Sequence, residues 1–132
     1  MAGESILIVD DNPANLKLVC FVLVREGYDV HTAVDAEEAL VAIKGRTPRL
    51  ILMDLQLPGM DGLQLTRSLK ANPATRSILI VALTAYAMRG DEEKAVAAGC
   101  DGYLVKPIDT RTLPGVIASF LGSTSGPRPA TD

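Results

Sequence analysis

The stretch ESILIVDDNPAN, residues 4–15, carries the decision about the fold. Ile6 to Val9, with Ser5 before them, form an unbroken apolar run, the pattern of a strand covered on both faces. The run then ends on two adjacent carboxylates, Asp10 and Asp11, which repel each other at the rim of a core. Asp11 or Asn12 can cap a helix with Pro13 in its first turn. Leu16, Val19, Cys20 and Leu23 follow at i, i+3, i+4 and i+7, which defines one buried helical face. Strand, acidic turn and helix make a βα unit, and the acidic pair needs a physical reason.

The unit repeats in kind along the chain. Strands are predicted at 5–9 (β1), 29–33 (β2), 50–53 (β3), 78–83 (β4) and 102–105 (β5). Helices are predicted at 13–26 (α1), 36–44 (α2), 61–71 (α3), 89–98 (α4) and 110–121 (α5). The runs ILIV, LILM and ILIVAL are continuously apolar, as buried parallel strands are, whereas DVHTAV is mixed and suits an edge. Asp35 can cap the second helix, with Glu37 and Glu38 near its positive end. Gly45 and Gly99 stand where left-handed C-terminal residues belong. In the last helix Leu113, Val116, Ile117, Phe120 and Leu121 share a face, and Pro114 is tolerable only in a first turn, which argues for a start later than 110.

Five βα units with right-handed crossovers predict an α/β doubly wound sheet of five parallel strands in the flavodoxin-like order 2-1-3-4-5. The 132 residues fit a single domain with a real core. That domain is expected to span 1–122, with 123–132, a Gly/Pro/Ser/Thr-rich tail, flexible. An apolar share of 48% against 22% charged is globular composition. The formal charge of −3 argues against nucleic acid as a partner. No apolar run approaches the roughly 18 residues of a membrane span, so no membrane association is expected and a cytoplasmic location is. Cys20 and Cys100 are expected to be small buried hydrophobes rather than a disulfide or zinc site.

Ligands of open parallel sheets bind beyond the carboxyl ends of the strands. Here those ends carry Asp10–Asp11 on β1, Asp54 on β3, Thr84 on β4 and Lys106–Pro107 on β5. Two unit charges 4 Å apart interact by roughly 4 kcal/mol at an effective dielectric near 20. Three carboxylates on one rim therefore require cations. Lys106 supplies one charge, and a hard divalent ion held by carboxylates and water, Mg²⁺ above all with Mn²⁺ as the alternative, supplies the rest. The chain has no Ser–His pair, since its one histidine, His31, sits on the edge strand, and no Gly-rich phosphate loop. Asp54 alone on the central strand is the candidate nucleophile, forming an aspartyl-phosphate beside the cations. Thr84 can donate its hydroxyl to a phosphoryl oxygen.

The stretches ILIVDDNPANLKL, PRLILMDLQLPGMDGLQL and IVALTAYAMRGDEEKAVAAGCDGYLVKPID resemble the receiver domains of two-component response regulators over residues 4–121. The wording around LTAYAMRGDEE and VDDNPANLKL is similar to DivK-type single-domain receivers and to the receivers of hybrid histidine kinases. The resemblance implies that Asp54 takes a phosphoryl group from a phosphohistidine. It implies that Asp11, Asp54 and the main-chain carbonyl of Gln56 bind Mg²⁺ directly, with Asp10 acting through water. Thr84 and Lys106 would contact the phosphoryl group, and Lys106–Pro107 would be a cis peptide.

Phosphorylation adds a charge of about −1.5 to −2, toward which Thr84 can move, and the resemblance implies that Tyr103 turns inward in response. The expected output surface is the α4–β5–α5 face, acting on a downstream protein. Gln56 and Tyr86 would flank the path of attacking water and tune dephosphorylation, with Tyr86 as a shield. Leu18, Phe21, Val22 and Arg25, opposite the buried stripe of the first helix, are the expected docking patch for a histidine kinase or histidine phosphotransferase. A stand-alone phosphatase with an aspartyl nucleophile would pair it with a second acid two residues on, where this chain has Gln56. The chain is thus expected to be a regulatory phosphoacceptor, catalysing only its own phosphotransfer and slow autodephosphorylation, whether as a whole regulator or as part of a longer protein.

Overall fold

The structure, a computed structural model, describes residues 3–55, 62–84, 91–106 and 108–122. Five strands form one parallel sheet in the order β2-β1-β3-β4-β5. They are β1 Ser5–Val9, β2 Asp29–Ala33, β3 Leu50–Asp54, β4 Leu79–Thr84 and β5 Gly102–Val105. The helices are α1 Pro13–Arg25, α2 Ala36–Gly45, α3 Gly62–Ala71, α4 Asp91–Ala98 and α5 Leu113–Gly122. The doubly wound order expected from the strand pattern is the one observed.

Alternation along the strands divides the core into two layers. Leu7, Val9, Ile51, Met53 and Ile80 face Ala36, Ala39 and Ile43 of α2 and Leu65 and Leu69 of α3. Ile6, Ile8, Leu50, Leu52, Val81 and Leu83 face Val19 and Leu23 of α1 and Leu113, Ile117 and Leu121 of α5. β1 and β3 are buried along their whole length, whereas β2 at the edge is half exposed. That is why β1 and β3 read as continuous apolar runs and β2 does not.

The helix ends resolve the choices the sequence left open. Asn12 caps α1, its Oδ1 accepting from the Ala14 N–H at 2.9 Å and the Asn15 N–H at 3.2 Å. Asp35 caps α2 by accepting from the Glu38 N–H at 2.8 Å, and Glu38 accepts in turn from the Val34 N–H at 3.0 Å. α5 begins at Leu113, placing Pro114 in the first turn. Gly99 is left-handed as expected, with φ of 105°. Gly45 is not: it is the last helical residue of α2, and the chain leaves through an extended Arg46 at the cap. Cys20 and Cys100 are only half buried and free, packed against opposite core layers.

One glycine ties the fold to the rim of the sheet. Gly62 opens α3, and its N–H donates to the Leu55 carbonyl at 3.2 Å. A Cβ there would lie 2.8 Å from the Leu55 Cα and press on the Asp54 carbonyl. The backbone just beyond β3 and the first turn of α3 are thus in direct contact, which only a residue without a side chain permits. Gly62→Ala is expected to lower stability by about 1–3 kcal/mol through overpacking. A urea midpoint unchanged from wild type would contradict this contact.

Candidate functional site at the carboxyl ends of the strands

The strand pairing continues one step past the regular ladder and pins the rim. The Asp10 N–H donates to Ala33 at 3.0 Å, the Leu55 N–H to Leu83 at 3.0 Å and the Lys106 N–H to Thr84 at 2.7 Å. Side chains at these positions therefore start from a backbone fixed on both sides. Asp10 is 0% exposed, and Asp54 and Thr84 are 3% exposed each. Burial this complete is costly for carboxylates unless cations or donors meet them.

They are met by Lys106. Its Nζ lies 3.1 Å from Asp10 Oδ2 and 3.1 Å from Asp54 Oδ2, bridging strands β1 and β3 from the end of β5. Asp10 Oδ1 also accepts from the Asn12 N–H at 2.9 Å, and Oδ2 accepts from the Asn15 side-chain amide. Because Asn12 performs the helix capping, Asp11 is left to the rim, where it stands exposed. Oxygens of Asp10, Asp11 and Asp54 lie within 4.8 Å of one another. Three acids against one ammonium leave a pocket of surplus negative charge, lined by hard oxygen donors. That donor set fits Mg²⁺, which takes one or two carboxylates and keeps several waters.

Burial by itself would lower the Lys106 pKa. The hydrogen bonds to Asp54 and Asp10, together with the charges of those carboxylates, outweigh it and hold the ammonium above the ordinary lysine range. A raised folded value means that the stabilisation is fully present below the unfolded pKa of about 10.4 and is lost as pH climbs through the folded value. The side-chain ¹³Cε resonance of Lys106 should therefore hold its protonated position past about pH 10.4 and move only above it. Movement at lower pH would contradict the double ion pair.

The structure brings Asp10, Asp11, Asp54, Thr84 and Lys106 to one rim, each from the strand end or turn where the sequence puts it. Tyr103 on β5 is half buried, in register with Ala82. His31 is away from the rim, its Nε2 3.4 Å from Asp29 on the edge strand. Gln56, Tyr86 and Pro107 lie outside the described residues, as does the 123–132 tail. On α1, Leu18 is 45% and Phe21 60% exposed, with the Arg25 guanidinium 5.5 Å from the Phe21 ring. Val22 is half buried against the α1–α5 core layer, because it sits beside Leu23 on the flank of the buried stripe rather than opposite it. Sequence reasoning missed Asn15. It lies in the first turn of α1, five residues beyond Asp10, a spacing that carries no signal in the sequence.

Comparison with known proteins agrees with this arrangement. Residues 6–118 match the family model of the response regulator receiver domain. The chain is 40% identical over 119 residues to the polar-differentiation response regulator DivK of Brucella anthropi, covering 90% of this chain and 97% of that one. Among solved structures, a response regulator from Chloroflexus aurantiacus superposes with a TM-score of 0.86 at 32% identity, over 91% of this chain and 98% of the other. The receiver domain of a sensor histidine kinase from Pseudomonas aeruginosa, solved with a magnesium ion coordinated in its active-site cleft, gives 0.84 at 37% identity, over 92% of this chain and all of that one (100%). The chain belongs to the response regulator receiver domains of two-component signalling. It is a regulatory domain of a family that binds Mg²⁺ at an acidic site and works through histidine kinases and downstream targets. Among the described residues no helix is long and apolar enough to cross a membrane.

Proposed function

We propose that this receiver is a phosphorylation switch in which Asp54 accepts a phosphoryl group from a phosphohistidine. The observation that carries the reading is the Lys106 bridge between two buried carboxylates, with a third acid oxygen close enough to complete a cation site. Asp54 Oδ attacks phosphorus, an O–P bond forms, the P–N bond breaks and its electron pair stays on the imidazole nitrogen of the donor. Lys106 holds the Asp54 carboxylate in place and then pairs with a phosphoryl oxygen. Thr84, at the end of the adjacent strand, donates its hydroxyl to another. Asp11, Asp54 and the Gln56 carbonyl would hold Mg²⁺, or Mn²⁺ in its place, with Asp10 acting through water. The chemistry such an ion supplies is neutralisation of charge on the phosphoryl oxygens.

Once phosphorylated, Thr84 gains a charge-assisted bond, and the space it leaves admits Tyr103, which alters the α4–β5–α5 face read by a downstream protein. Gln56 and Tyr86 set the lifetime of the phosphoryl group against the domain's own slow dephosphorylation. The absence of a strongly basic balance supports protein partners over nucleic acid, and the DivK relatives support a cytoplasmic setting. Incubation with acetyl phosphate or beryllofluoride tests the reading: amide resonances of Thr84 and of β5 should shift only when Mg²⁺ is also present. A spectrum unmoved by both would reject it.

The donor is a histidine kinase or histidine phosphotransferase that docks on α1. Leu18, Phe21, Val22 and Arg25 line an open groove of about 350 Å³ whose far wall is Thr110, Arg111 and Pro114, at the entry to α5. Glu26 also lines this groove, which mixes apolar with charged side chains. α1 starts just beyond Asp10 and Asp11, so a donor helix lying along it can present its imidazole toward the rim. Phe21→Asp should slow transfer from the cognate donor by at least about tenfold, as loss of a central aromatic anchor does. Uptake from acetyl phosphate should be unaltered, and an equal rate with the protein donor would place docking elsewhere.

A further inference from the structure

Asp10 is fully buried, and its two oxygens already serve three donors. Oδ1 accepts the Asn12 N–H at 2.9 Å. Oδ2 accepts Lys106 Nζ at 3.1 Å and the Asn15 amide nitrogen. The amide must present its nitrogen, because its carbonyl oxygen would meet a carboxylate oxygen with no proton between them. Among the described residues no donor holds Asp11 in this way. The acidic pair is thus asymmetric: one member is clamped from three sides and the other stands open at the rim.

We infer that Asn15 is a positioning residue that sets the cation preference of the pocket by keeping the Asp10 carboxylate turned toward Lys106. The inference rests on the reading of Asp10, Asp11 and Asp54 as a cation site and deepens it. With Oδ2 shared between an amide and an ammonium, Asp10 serves a bound ion through water rather than as a direct ligand. The site then offers few direct carboxylates in a fixed arrangement. That suits Mg²⁺, which is small, keeps its waters and demands near-octahedral geometry. Ca²⁺ takes more oxygens, accepts bidentate carboxylates and tolerates irregular geometry. Removing the amide frees an acid oxygen to turn outward, so the gain falls to Ca²⁺.

Calorimetric titration of the unphosphorylated full chain with Mg²⁺ and, separately, Ca²⁺ tests this in wild type, Asn15→Leu and Asn15→Ala. Leucine keeps the volume of the side chain without its donor, and alanine covers the case in which leucine disturbs α1. Partners of metal ligands shift affinity by roughly 10–100-fold, so the Mg²⁺-to-Ca²⁺ affinity ratio should fall by about tenfold in the variants. A helix merely loosened by the substitution would weaken both ions alike and leave the ratio where it was. A ratio that is unchanged or raised overturns the role of Asn15 and leaves the cation site standing. A wild-type protein that binds neither ion overturns both.

Discussion

Replacing Asp54 by asparagine is expected to abolish phosphoryl uptake, from acetyl phosphate and from a phosphohistidine donor alike. The amide matches the carboxylate in shape, so β3 and its contacts survive. It is a far poorer nucleophile and carries no charge to hold a cation. Asp54 is one of three acids whose oxygens crowd within 4.8 Å. Its neutralisation therefore also removes repulsion, at roughly 4 kcal/mol per pair at 4 Å and an effective dielectric near 20. Lys106 still has Asp10 at 3.1 Å, so the ammonium keeps a partner. The variant should melt no lower than wild type in chelator while its Mg²⁺ affinity falls by at least about tenfold. Radiolabel transfer and thermal melts read the two effects together. Label retained by the variant would move the acceptor to another acid of the pocket.

Lys106→Met is expected to act in the opposite direction on stability. The ammonium bridges Asp10 and Asp54, 3.1 Å from each. Methionine preserves much of the stem and deletes the charge, leaving two buried carboxylates opposed to each other. Breaking such a pair from one side costs about 3 kcal/mol. A bound ion stabilises the folded state in proportion to its concentration over Kd. The variant should therefore gain more from added Mg²⁺ than wild type does, because the ion no longer competes with a neighbouring ammonium. Thermal melts across a Mg²⁺ series would show a steeper rise for the variant. A variant as stable as wild type in chelator would mean that the ammonium does not offset the buried acids.

The parts of this architecture that were legible in the sequence share a physical cause. A strand buried on both faces has no freedom in composition, so β1 and β3 announced themselves, and a parallel sheet puts its ligands at strand ends. Asp10, Asp54, Thr84 and Lys106 could then be located by counting one residue past each apolar run. What the sequence could not display were choices between equivalent chemistries. Asp11 and Asn12 are both good caps, and only the backbone path assigned the cap to Asn12. Gly45 looked like a left-handed terminus, but the extended Arg46 ended the helix without one. Val22 lies on the border of the α1 stripe, where a shift of a few tens of degrees in helix rotation decides burial. Asn15 was silent because an amide in a first turn is ordinary until the acid it faces is known to be buried.

The proposed switch depends on Asp54 taking a phosphoryl group in a pocket whose surplus negative charge, beyond what Lys106 offsets, a divalent ion neutralises. The direct measurement is to phosphorylate the full chain with acetyl phosphate in Mg²⁺ or in chelator, trap the acyl phosphate by borohydride reduction, and locate the modified residue by peptide mass spectrometry. The expected result is reduction at Asp54 in Mg²⁺ and at no residue in chelator. Modification at Asp10 or Asp11 instead, or equal labelling of Asp54 without the ion, would contradict it.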